Sequence, residues 1–362
     1  MNFDLDEQQA MLKATVERFG AERHGLDVER RRRARALPGG FDRQGWQALA
    51  GLGVLSLPFA EAAGGLNGGP VDLITVAEPL GAVLATEPFT ESLVMAGSLL
   101  EAAGDTQWLP KVMAGDMVPA AALLERAGRY NPFHVETRAR SERGRWQITG
   151  AKSAVWQGGA ADLLLVSARV SGGVREAQGI SLFAVPAGGV ERRPWRAADG
   201  SLAAEIELHD AEAMPLDVDF ADAFEVALHR TWLSASAEML GAATMLLHTT
   251  LAYVKTRQQF GRPIGQFQAI QHRLADAYVA LEQARSLLYR AAVCEDGGRT
   301  LAGAKAYVGE AALKVAHEAV QFHGGMGVTD ELVIGHGLKR IQMLAHLWGD
   351  GDLAIARFAE AA

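Results

Sequence analysis

Two short stretches carry residue types that hold a phosphate. The first is Lys255-Thr-Arg-Gln-Gln-Phe-Gly-Arg-Pro-Ile-Gly-Gln-Phe-Gln-Ala-Ile-Gln-His-Arg-Leu-Ala-Asp276. It reads as a helix ending at Phe260, a tight Gly261–Gly265 turn, and a new helix from near Gln266. An arginine on the last helical turn beside a glycine turn, Arg257, can offer a planar fork to two oxygens of an anion. An ordinary helix–turn–helix with solvated charges is the alternative. The second stretch is Gln321-Phe-His-Gly-Gly-Met-Gly-Val-Thr329. Successive glycines let backbone N–H groups approach an anion closely; alternatively they cap a helix. Other chemistries lack their residues. His317-Glu318-Ala-Val-Gln-Phe-His323 misses the HExxH zinc spacing, because position 321 is glutamine. Paired Glu-x-x-His motifs of di-iron bundles, a G-x-S-x-G elbow and a Walker A loop are all missing. No metal site is expected, and His272, His323 and His346 read as packing or interface residues.

The elements that must position these loops follow from the hydrophobic period. From Leu5 to about Ala121 the pattern is helical, broken at Pro38-Gly39-Gly40 and by a glycine-rich loop from Ala60 to Pro70. From Ala121 to about Asp217 short apolar runs take over: Trp146–Thr149 ending at a Gly150 turn, Leu163–Val166, Ile180–Val185 and Glu205–Leu208. Short strands at roughly even spacing predict a small barrel or sandwich. Thereafter 222–256, 267–294, 302–322 and 332–347 each exceed the ~12 residues that favour helix, and a terminal helix starts near Asp352. That order predicts a four-helix bundle with one helix appended.

The chain has 362 residues, enough for two or three domains, with 49% hydrophobic and 22% charged residues, which supports a large core. The formal net charge of −8 argues against a nucleic-acid surface. Cys294 is the only cysteine, so no intrachain disulfide forms, as suits a reducing compartment. The N-terminal residues interleave acids with apolar residues, unlike a signal peptide. No run approaches ~18 uninterrupted apolar residues, so no membrane span is expected and a cytoplasmic location is.

Arg257-x-x-Phe260-Gly261, Gln268-Ala269-Ile270, Leu274-Ala275-Asp276 and Gln321-x-x-Gly324-Gly325-x-Gly327, set in a helix–strand–helix order, resemble the paired signatures of acyl-CoA dehydrogenases. Gly64-Gly65-Leu66-Asn67-Gly68-Gly69 after Leu57-Pro58-Phe59, and the run from Gly150 to Arg169, match as well. The resemblance spans nearly the whole chain. It implies an α+β fold: an N-terminal α-helical domain (1–120), a middle β-barrel domain (121–217) and a C-terminal four-helix bundle (218–362). It implies FAD at a subunit interface, in a homo-oligomer or an α2β2 assembly with a paralogous chain. Arg257 and Phe260 would reach FAD bound mainly by a neighbouring subunit. Gln321, Gly324 and Gly325 would lie along its diphosphate and adenosine, and Gln268 belongs to the same cofactor-binding set. An acyl-CoA thioester would lie against the flavin. A carboxylate would remove the α-proton while the β-hydride passes to the flavin, with an electron-transfer flavoprotein or similar protein as acceptor.

The sequence departs from that pattern where the base should be. The resemblance places the usual base at Trp348, before Gly349, and the other familiar position at Thr231. Neither side chain takes a proton. Glu238, seven residues after Thr231 and near the same helix face, is the internal candidate, with a structural acid paired to an arginine as its alternative. Asp350 and Asp352 stand where neutral hydrogen-bonders near FAD are typical, and two acids there would repel a diphosphate. In place of a threonine-rich flavin-contacting run stands Leu124-Glu125-Arg126-Ala127-Gly128-Arg129-Tyr130. Ala154-Val155-Trp156 replaces a Trp-x-Ser/Thr, leaving Trp156 either to stack on the flavin or to fill the barrel core. These departures resemble the small subunits of bacterial heteromeric acyl-CoA dehydrogenases of the pimeloyl-CoA or steroid side-chain type. Three functions are compatible: a competent desaturase using Glu238, a non-catalytic subunit completing a partner's FAD site, or a flavin monooxygenase on the same fold.

Overall fold

The computed structural model describes residues 5–294, 296 and 298–360. The N-terminal third is helical: α1 (Glu7–Arg23), α2 (Val28–Ala36), α3 (Arg43–Gly51), α4 (Pro70–Ala82), a π-turn (Phe89–Val94) that runs into α5 (Met95–Ala102), and α6 (Leu109–Met113). Asp6 starts α1 by accepting the Gln9 N–H at 2.8 Å while Gln9 returns a bond to the Asp6 N–H, a capping box. Packing divides the chain into two compact units. One gathers Met1–Arg33, Gly69–Ala85 and Trp232–Ala362; the other gathers Ala34–Gly68 and Thr86–Thr231.

The second unit is built on a closed sheet of β1 (Pro119–Ala122), β2 (Arg138–Glu142), β3 (Arg145–Trp156), β4 (Leu163–Arg169), β5 (Ile180–Pro186), β6 (Glu191–Arg196) and β7 (Leu202–Leu216). β4, β2, β3, β7 and β5 pair in turn, and β5 pairs back to β4, so the ring closes as a barrel. β1 adds to β4 and β6 to β7. Ile148, Leu164, Val166, Phe183, Val185 and Ile206 are among the residues that fill the interior. The expected turn at Gly150 is a bulge instead, and β3 runs on for 12 residues. The register shifts between Ile148 and Gly150, and a Cβ at Gly150 would lie 2.6 Å from the Thr137 backbone. The guanidinium of buried Arg169 donates to the carbonyls of Phe133, Val135, Ser171, Val174, Glu176 and Gln178, tying down two loops at the barrel end.

The first unit carries most of the C-terminal helices: α7 (Phe220–Thr256, whose first turns belong to the barrel unit), α8 (Gln268–Val293), α9 (Arg299–His323), α10 (Val333–His346) and α11 (Gly351–Glu360). α9 packs against α8, α10 and α11. α4 crosses α7 at backbone contact. A Cβ on Gly81 would meet the Glu238 carbonyl at 2.1 Å, and one on Gly241 would meet the Glu78 carbonyl at 1.9 Å. Only glycine at both places lets the helices approach so closely. Flanking this crossing, Glu78 pairs with Arg285 of α8 and Glu238 with Arg340 of α10.

Candidate functional site

α7 ends at Thr256, four residues before the expected Phe260. The chain then forms a minimal hairpin, β8 (Gln258–Gln259) and β9 (Arg262–Pro263), with Phe260 and Gly261 as its tip. Both tip residues have positive φ, 54° and 77°, the pattern of a two-residue primed turn whose twist matches the strands. Phe260 therefore occupies a left-handed conformation that costs a non-glycine residue energy. It is 91% exposed. The hairpin is stiffened from behind: the Arg262 guanidinium lies 4.1 Å from the Phe267 ring centroid, and Phe260 meets Phe267 edge-on at 6.1 Å. Arg257, just past the helix, donates its N–H to the Tyr253 carbonyl and accepts from the Ile264 N–H, each at 2.8 Å, so its exposed side chain is held at the hairpin base.

Tyr253 stacks on His323 at 4.2 Å, and this contact brings the hairpin and the second glycine-rich turn to one end of the helical unit. His323 also meets the Ala319 carbonyl through Nδ1 at 2.8 Å, as the packing reading expects. α9 ends at His323, and Gly324 turns the chain with φ 60°. Nothing lies within 4 Å of the Cβ positions of Gly324 or Gly325, and both are exposed, as are Gln268 and Gln321. Guanidinium, glycine backbone and amide side chains at one exposed end suit a diphosphate. A partly apolar cavity of ≈ 500 Å³ lies alongside, lined in part by Leu251, Val254, Pro263 and Tyr278.

The base positions are a different environment. Thr231 is fully buried, its Oγ1 donating to the Ala227 carbonyl at 2.7 Å with Met95 Sδ at 3.3 Å. Trp348 is 6% exposed, has φ 55°, and its carbonyl accepts the Trp232 indole N–H at 3.2 Å. Glu238 is buried, and its Oε1 accepts from both Nε (2.6 Å) and a terminal nitrogen (2.5 Å) of buried Arg340. Asp350 accepts the Leu353 N–H at 3.0 Å, which makes it the N-cap of α11; Asp352 is exposed in the first turn. The two acids that looked out of place thus start a helix.

Sequence reading missed Lys305. It is buried on α9 and donates to the Leu344 and Ala345 carbonyls, each at 3.0 Å, in the last turn of α10, where the Leu344 carbonyl also accepts the Leu347 N–H at 3.2 Å. Burial pushes its ammonium down to about 7, with the Asp350 charge opposing in part. The signal was present: Leu301, Lys305, Val308 and Ala312 form one buried stripe, and a lone cation on such a stripe needs a partner. In the barrel unit, Lys152 is likewise buried, 2.7 Å from Glu125 and 3.1 Å from Ser167 Oγ. Burial pushes Lys152 down to about 8 against the pull of Glu125. Glu125 in turn accepts the Glu136 and Thr137 N–H groups, so this acid is structural. Neither Leu124 nor Ala154 has a hydroxyl to offer a flavin. Trp156 is half-buried and edge-on to Trp195 at 6.1 Å, which leaves part of its ring accessible.

A barrel followed by a helical unit with these two exposed loops is the architecture of one flavoprotein family. The chain belongs to the acyl-CoA dehydrogenase family: the models for its N-terminal, middle and C-terminal domains match residues 6–116, 120–211 and 222–362. Acyl-CoA dehydrogenase FadE27 of Mycobacterium tuberculosis is 32% identical over 315 residues, 80% of each chain. The ChsE4–ChsE5 complex from Mycobacterium tuberculosis contains a chain 27% identical with a TM-score of 0.87, covering 99% of this chain and 98% of that one. A variant of the Tcur3481–Tcur3483 steroid ACAD is 28% identical with a TM-score of 0.85, covering 98% and 97%.

Proposed function

We propose that this chain is the non-catalytic subunit of a heteromeric, cytoplasmic acyl-CoA dehydrogenase, completing an FAD site shared with a paralogous partner that supplies the base. The observation that carries this reading is the Glu238–Arg340 pair. A general base must lie within hydrogen-bond reach of the α-proton, at a place the substrate can enter. Glu238 is instead buried and held by a guanidinium, and Thr231 and Trp348 are buried side chains with no proton-accepting role. FAD, when bound, supplies the acceptor for the hydride in α,β-desaturation. Toward it this chain would contribute Arg257 and the Gln321–Gly325 turn against the diphosphate, with Gln268 beside them, and exposed Phe260 against the partner's side of the cofactor. Relatives named as a two-component complex and as a steroid ACAD support a heteromeric assembly and favour a steroid-class acyl-CoA over a simple fatty acyl-CoA; the acceptor would be an electron-transfer flavoprotein or a similar protein.

The assembly co-expressed with its partner tests the assignment of the base. Anaerobic flavin bleaching by acyl-CoA is compared between wild type and Glu238→Gln, with Glu238→Gln/Arg340→Met as the version that removes both charges of the pair. Bleaching per bound flavin stays within a few-fold of wild type. A loss on the order of 10²-fold or more at unchanged flavin content would make Glu238 the base and the chain a competent desaturase.

A further inference from the structure

The outer face of the β6–β7 pair holds a donor set that neither the flavin loops nor the acyl chemistry uses. β6 is an edge strand, paired with β7 alone, and the register sets Glu191 directly opposite Glu207. Residues two apart on a strand share a face, so His209 projects beside Glu207. His209 Nε2 lies 3.6 Å from Glu191 Oε2 and 3.6 Å from Glu207 Oε2, and the three ligand atoms all fall within 4.8 Å of one another. Ligands held ~2.0–2.2 Å from a tetrahedral zinc stand roughly 3.3–3.6 Å apart, so an ion fits after small side-chain movements. Carboxylates facing each other across adjacent strands repel. Arg193 takes up Glu207 through Oε1, which leaves Oε2 turned toward His209. A donor on the outer oxygen of a carboxylate is how metal ligands are usually held in orientation.

We propose that Glu191, Glu207 and His209 form a surface site for one divalent transition-metal ion, zinc foremost, that clips the edge strand β6 to β7. One imidazole with two carboxylates favours zinc or nickel over magnesium or calcium, which prefer all-oxygen shells. Glu191 and His209 are exposed and Glu207 half-exposed, so the ion enters from solvent without opening the barrel, and water completes its coordination.

Tag-free, chelator-stripped protein titrated with zinc chloride by calorimetry, with the melting temperature followed in parallel, tests the site. One saturable equivalent per chain is expected, with a melting temperature that rises with zinc and ignores magnesium. His209→Ala and Glu191→Gln, both at exposed positions, each weaken binding at least ~10-fold, and Arg193→Ala weakens it by about 10-fold through the lost orientation of Glu207. Absence of saturable zinc binding, or binding that His209→Ala leaves unchanged, overturns the proposal.

Discussion

Side chains at the centre of the C-terminal helices decide what this chain can do. Glu238 and Arg340 form a buried pair whose members need each other. Glu238→Gln removes the charge that faces the buried guanidinium at its shortest contact and is expected to cost about 3–5 kcal/mol in urea unfolding, whereas Glu238→Leu/Arg340→Met recovers most of that loss. Lys305 gives a pH signature. Its folded value of about 7 lies below its ordinary 10.5, so between those limits the unfolded chain holds a proton the folded chain does not. Stability attributable to Lys305 therefore rises with pH across that window, and the cost of the buried charge is fully present below it. Subtracting the pH–stability curve of Lys305→Met from that of wild type should give a difference that grows in favour of wild type from pH ~7 to ~10; a flat difference would contradict the assignment. Sequence alone named Glu238 and both of its readings, but not its partner, because Arg340 lies 102 positions away on α10.

The hairpin between α7 and α8 holds a non-glycine residue at its tip in a left-handed backbone. Phe260 has a left-handed backbone and almost complete exposure, costs that folding of this chain alone does not repay. Phe260→Asn is expected to stabilise the isolated chain by up to about 1 kcal/mol, because Asn tolerates that conformation better. In the co-purified assembly the same variant, and Arg257→Ala, should lower flavin retention while leaving the melting temperature of the isolated chain no worse. Parallel loss of both properties would mean that the hairpin is merely structural. The α4–α7 crossing behaves oppositely. Gly241→Ala drives a methyl into the Glu78 carbonyl and should destabilise by about 3 kcal/mol or more with no compensating gain. Long helices were legible from their period, yet β6 was not. Its exposed charged residues lack alternation, and it is a strand only because β7 offers a free edge. For the same reason the Glu191–Glu207–His209 set was invisible: its members meet across strands rather than at a fixed sequence spacing.

At the scale of the whole molecule the sequence carried the family and the helix–barrel–helix order, since the glycine-rich loops and the change of hydrophobic period are local signals. It did not carry the division into two packed units, in which residues 69–85 join the C-terminal helices across more than 140 intervening positions. It did place a terminal helix near Asp352, and Asp350 and Asp352 begin α11 there, though the N-cap role of Asp350 shows only in the structure. No described helix is long and apolar enough to cross a membrane. Both familiar base positions are closed by packing, while the loops suited to a cofactor stand exposed at one end of the helical unit, where another chain can cover them. The visible absorption spectrum of the purified chain, taken alone and again after co-expression with its paralogous partner, tests this most directly. A colourless chain alone, and one bound FAD per heterodimer that bleaches with acyl-CoA in the assembly, is the predicted result. A yellow chain that bleaches with acyl-CoA without any partner would contradict it.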